Sequence, residues 1–176
     1  MRTIRTKVYK FSELSKSAKQ TAIDNLRDIN VDYEWHDMTT DEQTRELIEK
    51  GFEDAKIMFT GFSCQGDGAC FSCKNIDFNL FLNGKYKDLD ISANITHNWR
   101  HYFATSTTVN LDTQDNGITD EEYREIENDI KDERERLGNE IYRTLEKEYD
   151  YLTSEPAIIE TIETTEYEFT KDGKQF

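Results

Sequence analysis

The chain has 176 residues, 35% of them hydrophobic and 12% aromatic, and its 37 acidic against 22 basic side chains leave a formal net charge of −15. That length and aromatic content predict one folded domain, 1–176, with a real core rather than a disordered chain. The charge argues against direct binding to DNA, RNA or an anionic lipid surface, where Lys and Arg on phosphate supply most of the affinity, and it favours basic partners.

In chain order, Ile4, Thr6 and Val8 alternate with Arg5, Lys7 and Tyr9, which predicts a half-exposed strand over Thr3 to Phe11. Ser15 is placed to cap a helix ending near Asn30, with Ala18, Ala22, Leu26 and Ile29 along one face. A second, weakly amphipathic helix spans Tyr33 to Lys50, carrying Trp35, Met38, Leu47 and Ile48, with Gly51 as its terminator.

Strand patterns follow. Lys56 to Phe62 leads into the glycine-rich segment Gln65-Gly66-Asp67-Gly68, and Ala69 to Cys73 leads out, which predicts a hairpin. Glycines flanking Asp67 predict positive φ or close backbone approach, with an Asx-type hydrogen bond from Asp67 closing the turn. Phe78, Leu80 and Leu82 alternate with polar neighbours, Asn83-Gly84 reads as a hairpin turn, and Leu89, Ile91, Ala93 and Ile95 alternate after it. Tyr102 to Leu111 is a further strand, so the middle third is expected to form an antiparallel meander.

Thr119 and Glu122 form a capping-box pattern ahead of a long helix, in which Tyr123, Ile126, Ile130, Leu137, Ile141, Leu145, Tyr149 and Leu152 recur at helical spacing. At ~1.5 Å per residue it runs roughly 50 Å, and Gly138 is where a bend or break is expected. Ser154-Glu155-Pro156 starts a short helix to Thr164, Tyr167 to Thr170 an edge strand, and Asp172-Gly173 a turn. The expected class is α+β, an antiparallel meander flanked by N-terminal helices and a long acidic C-terminal helix.

No run approaches the ~18 apolar residues of a membrane helix, and MRTIRTKVYK carries no apolar leader core, so a cytosolic protein is expected and the sequon at Asn94 is void. Three cysteines in such a chain are expected to be free thiols. Charge is uneven: four basic and no acidic residues in 1–10, nine acidic against two basic in 31–54, and fifteen against six in 112–150.

Several chemistries are within reach of these residue types. Cys64, Cys70 and Cys73 with His97 and His101 contain one C-x2-C pair, where a zinc site needs four converging ligands, so no metal and no cofactor is expected. Cys64 or Cys70 with His36, His97 or His101 as base gives a nucleophile list without a family motif, so an enzyme is not expected. The QGDG turn resembles an anion nest, but Asp67 in its middle repels an anion. Trp35, His36, Trp99, His101, Tyr102 and Phe103 read as core aromatics or as interface anchors. The acidic helix, with Glu121, Glu125, Asp129 and Asp132, reads as a solvated face or as a mimic of nucleic-acid phosphates offered to a basic groove.

Three segments together, FSELSKSAKQTAIDNLRDINVDYEW from residue 11, FTGFSCQGDGACF from 59 and YEFTKDGKQF from 167, make the chain similar to a family of small hypothetical proteins of tailed bacteriophages, some labelled antitoxin-like. Cys64 and Cys73 depart from the small or polar residues of that family's loop. The resemblance implies an accessory protein in the cytoplasm of an infected bacterium, and no catalytic residue.

The expected function is therefore anti-defence by binding: inhibition of a basic host protein such as a nuclease, a CRISPR effector or a toxin, by DNA mimicry. Contacts are expected at Trp35, Gln65 to Gly68, Glu121, Glu125, Asp129 and Asp132, with a second copy of the chain as a further partner. The alternative expectation is a small-ligand protein that sequesters a nucleotide signal in the QGDG loop.

Overall fold

The computed structural model describes residues 6–98, 103, 106–113 and 117–176. It is an α+β protein: β1 (Tyr9–Lys10), α1 (Lys16–Asn25), α2 (Asp37–Glu49), β2 (Phe52–Glu53), β3 (Lys56–Phe59), β4 (Ala69–Ser72), β5 (Asn75–Ile76), β6 (Ser92–His97), β7 (Thr107–Asp112), α3 (Asp120–Leu152), α4 (Glu155–Thr164) and β8 (Glu168–Phe169). Short 3₁₀ turns cover Phe11–Glu13 and Phe81–Gly84. None of the described helices is long and apolar enough to cross a membrane. The chain divides into two compact units, one made of residues up to Trp35 with Lys147–Phe176, the other of His36–Glu146.

The first unit is closed by residues far apart in sequence. β1 pairs antiparallel with β8, Tyr9 opposite Phe169 and Lys10 opposite Glu168. Ser15 caps α1 by accepting from the amide of Ala18 at 3.3 Å, and Ser154 caps α4 through Ala157 at 3.5 Å, with Pro156 in its first turn. Phe11, Leu14, Ala18, Ala22, Ile23, Ile158, Ile162 and Phe169 form its core. Full burial of each large side chain contributes about 1.5–3 kcal/mol. Asn30 is buried among them with both ends of its amide engaged. It donates to the Leu152 carbonyl at 3.0 Å and accepts from the Thr161 hydroxyl at 2.7 Å. Gly173, at φ +87°, lies so close to α1 that a Cβ there would stand 2.1 Å from the Ala18 carbonyl oxygen.

In the second unit the predicted hairpin around the glycine-rich loop is present, with Phe59 opposite Ala69 and Lys56 opposite Ser72. β6 and β7 form another, from Ser92 opposite Asp112 to His97 opposite Thr107. Cys73 and Ile95 exchange amide–carbonyl bonds of 2.9 and 3.1 Å, joining the two ladders. β2 pairs with β5. All of these pairings are antiparallel, and among the described residues they form short two-stranded ladders.

Three expectations are corrected. First, Phe78 to Leu82 is not a strand. The Asp77 side chain accepts the Asn79 amide at 2.9 Å, and the Asp77 carbonyl accepts the amides of Leu80 and Phe81 at 3.0 and 2.9 Å. The chain coils there, so that Phe78 and Phe81 are buried and Leu80 points out. Asn83 and Gly84 do take positive φ, but Leu82 before them does too, at 46°, which makes a turn rather than a hairpin tip. Second, the helices start and stop elsewhere than expected: α1 ends at Asn25 and α2 begins at Asp37, while Gly51 ends α2 as expected, at φ +97°. Third, α3 is not broken at Gly138 but runs as one helix over 33 residues. A Cβ on Gly138 would be 3.0 Å from the Ala69 carbonyl oxygen, so this glycine lets the helix lie directly on β4.

α3 also covers β7. Arg134 donates to the Thr107 carbonyl at 3.1 Å and the Tyr123 hydroxyl to the Leu111 carbonyl at 3.4 Å. Phe52 is the hub of the core, with its ring 5.0 Å from Phe71 and 5.8 Å from Phe81, both edge-on.

Candidate functional site

The glycine-rich loop is built inward around one carboxylate. Oδ2 of Asp67 accepts the amides of Cys64 at 2.7 Å and Ser63 at 2.9 Å, and its own amide donates to the Cys64 carbonyl at 3.0 Å. Thr60 closes the base, donating its amide to the Gly68 carbonyl at 3.0 Å and accepting the Gly68 amide on its hydroxyl at 3.0 Å. The Cys64 amide, aided by that of Ser63, holds the Asp67 carboxyl below its ordinary value. The Asp67 carboxylate does close the turn, but by accepting amides three and four residues before it and not the amide two residues on that an Asx turn uses. The expected positive φ is not found in the loop: among the described glycines it occurs at Gly51, Gly84, Gly117 and Gly173, and the loop turns on Asp67 instead of on left-handed backbone at Gly66 or Gly68. Gln65 and Cys64 are exposed, while Gly66 gives its carbonyl to the Phe103 amide at 3.2 Å.

Beside the loop runs a row of aromatic rings that sequence reasoning missed. His36 meets Phe59 edge-on at 5.0 Å, Phe59 stacks on Phe62 at 6.0 Å, and Phe62 lies 5.4 Å from Tyr142, whose hydroxyl donates to the Gly61 carbonyl at 3.4 Å. Trp35 belongs to the first unit, where its ring packs at 5.8 Å from Tyr149.

Behind β4 a chain of polar contacts links Cys70 Sγ to Ser106 Oγ at 3.7 Å and Ser106 Oγ to His97 Nε2 at 3.3 Å. A thiol, a hydroxyl and an imidazole in line have the makings of a nucleophile and its base, but Cys70 is 2% and Ser106 0% exposed. Burial pushes the Cys70 thiol up and the Cys73 thiol up to about 11, so both are packed thiols instead of thiolates. Among the described residues no three His, Cys, Asp or Glu side chains converge in a way that could hold a metal ion. Trp99, His101 and Tyr102 lie outside the described residues.

The acidic residues of α3 divide into two sets. Glu125 and Asp129 are engaged within the fold, where Lys85 Nζ reaches them at 2.8 and 2.7 Å and the Tyr86 hydroxyl donates to Asp129 at 2.6 Å. Partial burial opposes ionisation of Asp129, but the bonds from Lys85 and Tyr86 outweigh it and hold its carboxyl low. Asp129 and then Glu125 push the Lys85 ammonium up. Glu121 and Asp132 are exposed and make no side-chain hydrogen bond or ion pair with the described residues; Glu135, absent from the sequence-based list, behaves likewise. At ~100° per residue Glu121, Glu125, Asp132 and Glu135 fall on one stripe of the helix, roughly 21 Å from first to last at ~1.5 Å rise. The helix opens as the sequence predicts, the Thr119 amide donating to Glu122 at 2.8 Å and the Glu122 amide to the Thr119 hydroxyl at 3.2 Å.

A family model described as a domain of unknown function, DUF8835, matches residues 27–88 and 81–155. No curated protein and no solved structure matches the chain.

Proposed function

The chain belongs to the DUF8835 family, and from that premise we propose that it acts without catalysis, by binding a protein with a basic surface through the carboxylate stripe of α3. The observation that carries this reading is the stripe: Glu121, Asp132 and Glu135 stay exposed on one face of a helix that packs on β4 and β7, and Glu121 and Asp132 make no ion pair or side-chain hydrogen bond with the described residues. Carboxylates along one face of a long helix suit a groove lined with Lys and Arg, where they stand in for nucleic-acid phosphates. Taken with the resemblance to tailed-phage proteins, the partner in this reading is a host protein that handles nucleic acid, a nuclease, CRISPR effector or toxin, met in the bacterial cytoplasm and inhibited there. Nucleotide capture by the QGDG loop is the weaker reading, because the Asp67 carboxylate and the Ser63 and Cys64 amides already satisfy one another.

Affinity capture from infected cells, with the Glu121→Lys/Asp132→Lys double variant alongside, tests the proposal. The expected result is a basic partner retained by the native chain, released by salt and lost with the double variant. Capture that is indifferent to both salt and charge reversal defeats it.

A further inference from the structure

The second unit also carries a cleft of about 740 Å³, walled by the last turn of α2, the turn at Phe81–Gly84 and the middle of α3. Leu80, 47% exposed, and Leu82 form its apolar wall. Leu82 and Asn83 there hold left-handed backbone, φ 46° and 57°, a conformation open to Asn but disfavoured for Leu, next to the wholly buried Phe81. The wall is thus preformed.

The charged lining is unbalanced. Glu46, Glu49 and Glu133 face Lys50 and Arg136. Arg136 is compensated twice, by Glu133 at 2.6 Å and Glu140 at 2.6 Å. The side chains of Glu46 and Glu49 have no ion pair or hydrogen bond with the described residues, and they sit in the last turn of α2, where the helix carbonyls add negative partial charge. With Arg136 paired to Glu133, Glu46 and Glu49 face Lys50 alone, and the one negative charge left over beside an exposed leucine complements a side-chain pair of one cation and one apolar group.

We propose that this cleft receives a protein segment bearing alternating basic and leucine-like side chains, the cation on Glu46 and Glu49 and the apolar group against Leu80 and Leu82. It rests on the reading that the partner is basic, but it places specificity on a face of α3 other than the stripe.

Two fluorescent peptides of equal length and charge test it by anisotropy at physiological salt, one alternating Arg with Leu and the other Arg with Gly. The Arg–Leu peptide is expected to bind at least roughly tenfold tighter, the worth of one buried leucine. Leu80→Ser removes that advantage, and Glu46→Gln/Glu49→Gln weakens both peptides, while thermal melts show these surface variants folded. Equal affinity for the two peptides, or indifference to the cleft variants, overturns the cleft; if Glu121→Lys/Asp132→Lys alone then abolishes binding, the stripe reading survives its loss. Sensitivity to the cleft variants alone keeps the cleft and removes the stripe as the contact.

Discussion

Gly138 of α3 lies against the backbone of Ala69: a methyl group on Gly138 would meet the Ala69 carbonyl oxygen at 3.0 Å, so the strand would have to give by a few tenths of an ångström to admit it. The contact fixes how closely the long helix approaches the strand that leaves the glycine-rich loop.

Gly138→Ala therefore sets two effects against each other. Alanine gains about 1 kcal/mol of helix propensity, whereas forcing buried β4 back costs about 1–3 kcal/mol. Because Ala69 and Cys70 are 2% exposed, the strand has little room to yield and a net loss of about 1 kcal/mol is expected. Gly138→Val should lose about 3 kcal/mol or more, read by denaturant unfolding. A stabilised Gly138→Ala would mean that the helix lifts freely from the strand.

The Asp67 carboxyl is held low by the Cys64 and Ser63 amides, so its folded pKa lies below the ordinary 3.8. The loop interaction is complete above that value and is lost as pH falls through the lower, folded one. Carbon-detected NMR titration should find Asp67 still ionised below the ordinary aspartate value of 3.8. Asp67→Asn should abolish the acid dependence of amide exchange at Ser63 and Cys64. An ordinary midpoint at Asp67 would show that the loop is open in solution.

Lys85 ties the turn at Phe81–Gly84 to α3 through Glu125 and Asp129. Its folded pKa is raised, so this contribution is whole below the unfolded value near 10.5 and is lost as pH rises beyond it. Lys85→Met should lower the melting temperature, quicken amide exchange around Tyr86 and remove the alkaline loss. Unchanged exchange would reduce the pair of bridges to surface ornament.

Asn30 serves two buried partners at once, the Leu152 carbonyl and the Thr161 hydroxyl. Asn30→Ala leaves both unmet and should cost about 1–3 kcal/mol by calorimetry. Asn30→Asp keeps the acceptor for Thr161 and loses the donor to Leu152, so that it separates the two halves. Equal melting of Asn30→Ala and the native chain would mean that water takes over both bonds.

How legible these features are follows the range of the interactions that make them. Ser15, Ser154 and the Thr119–Glu122 box are caps made within three residues, and each lies where local chemistry places it. The hairpin from Lys56 to Ser72 is readable from its alternation and its turn. The Phe78 to Leu82 segment alternates equally well, yet an aspartate at its head offers the backbone a competing set of hydrogen bonds, and coiling buries two phenylalanines where a strand would have buried Phe78 with two leucines. Gly138 reads locally as a flaw in the helix because the strand it admits is distant in sequence. The Phe59–Phe62–Tyr142 row, the Cys70–Ser106–His97 chain and the division of the α3 carboxylates by Lys85 are likewise tertiary, invisible to any local pattern.

The pairing of Tyr9 with Phe169 sets an order of assembly during synthesis. His36–Glu146 is an unbroken stretch whose core is complete once α3 has left the ribosome, so it can fold while the chain is still growing. The other unit has to wait. Until Phe169 is made, β1 has no strand to pair with and Phe11 no Phe169 ring to rest on, 6.2 Å away in the finished protein. A stop codon anywhere between the end of α3 and β8 would thus release one unit folded and the other with its apolar side chains bare, the form that proteases and chaperones recognise.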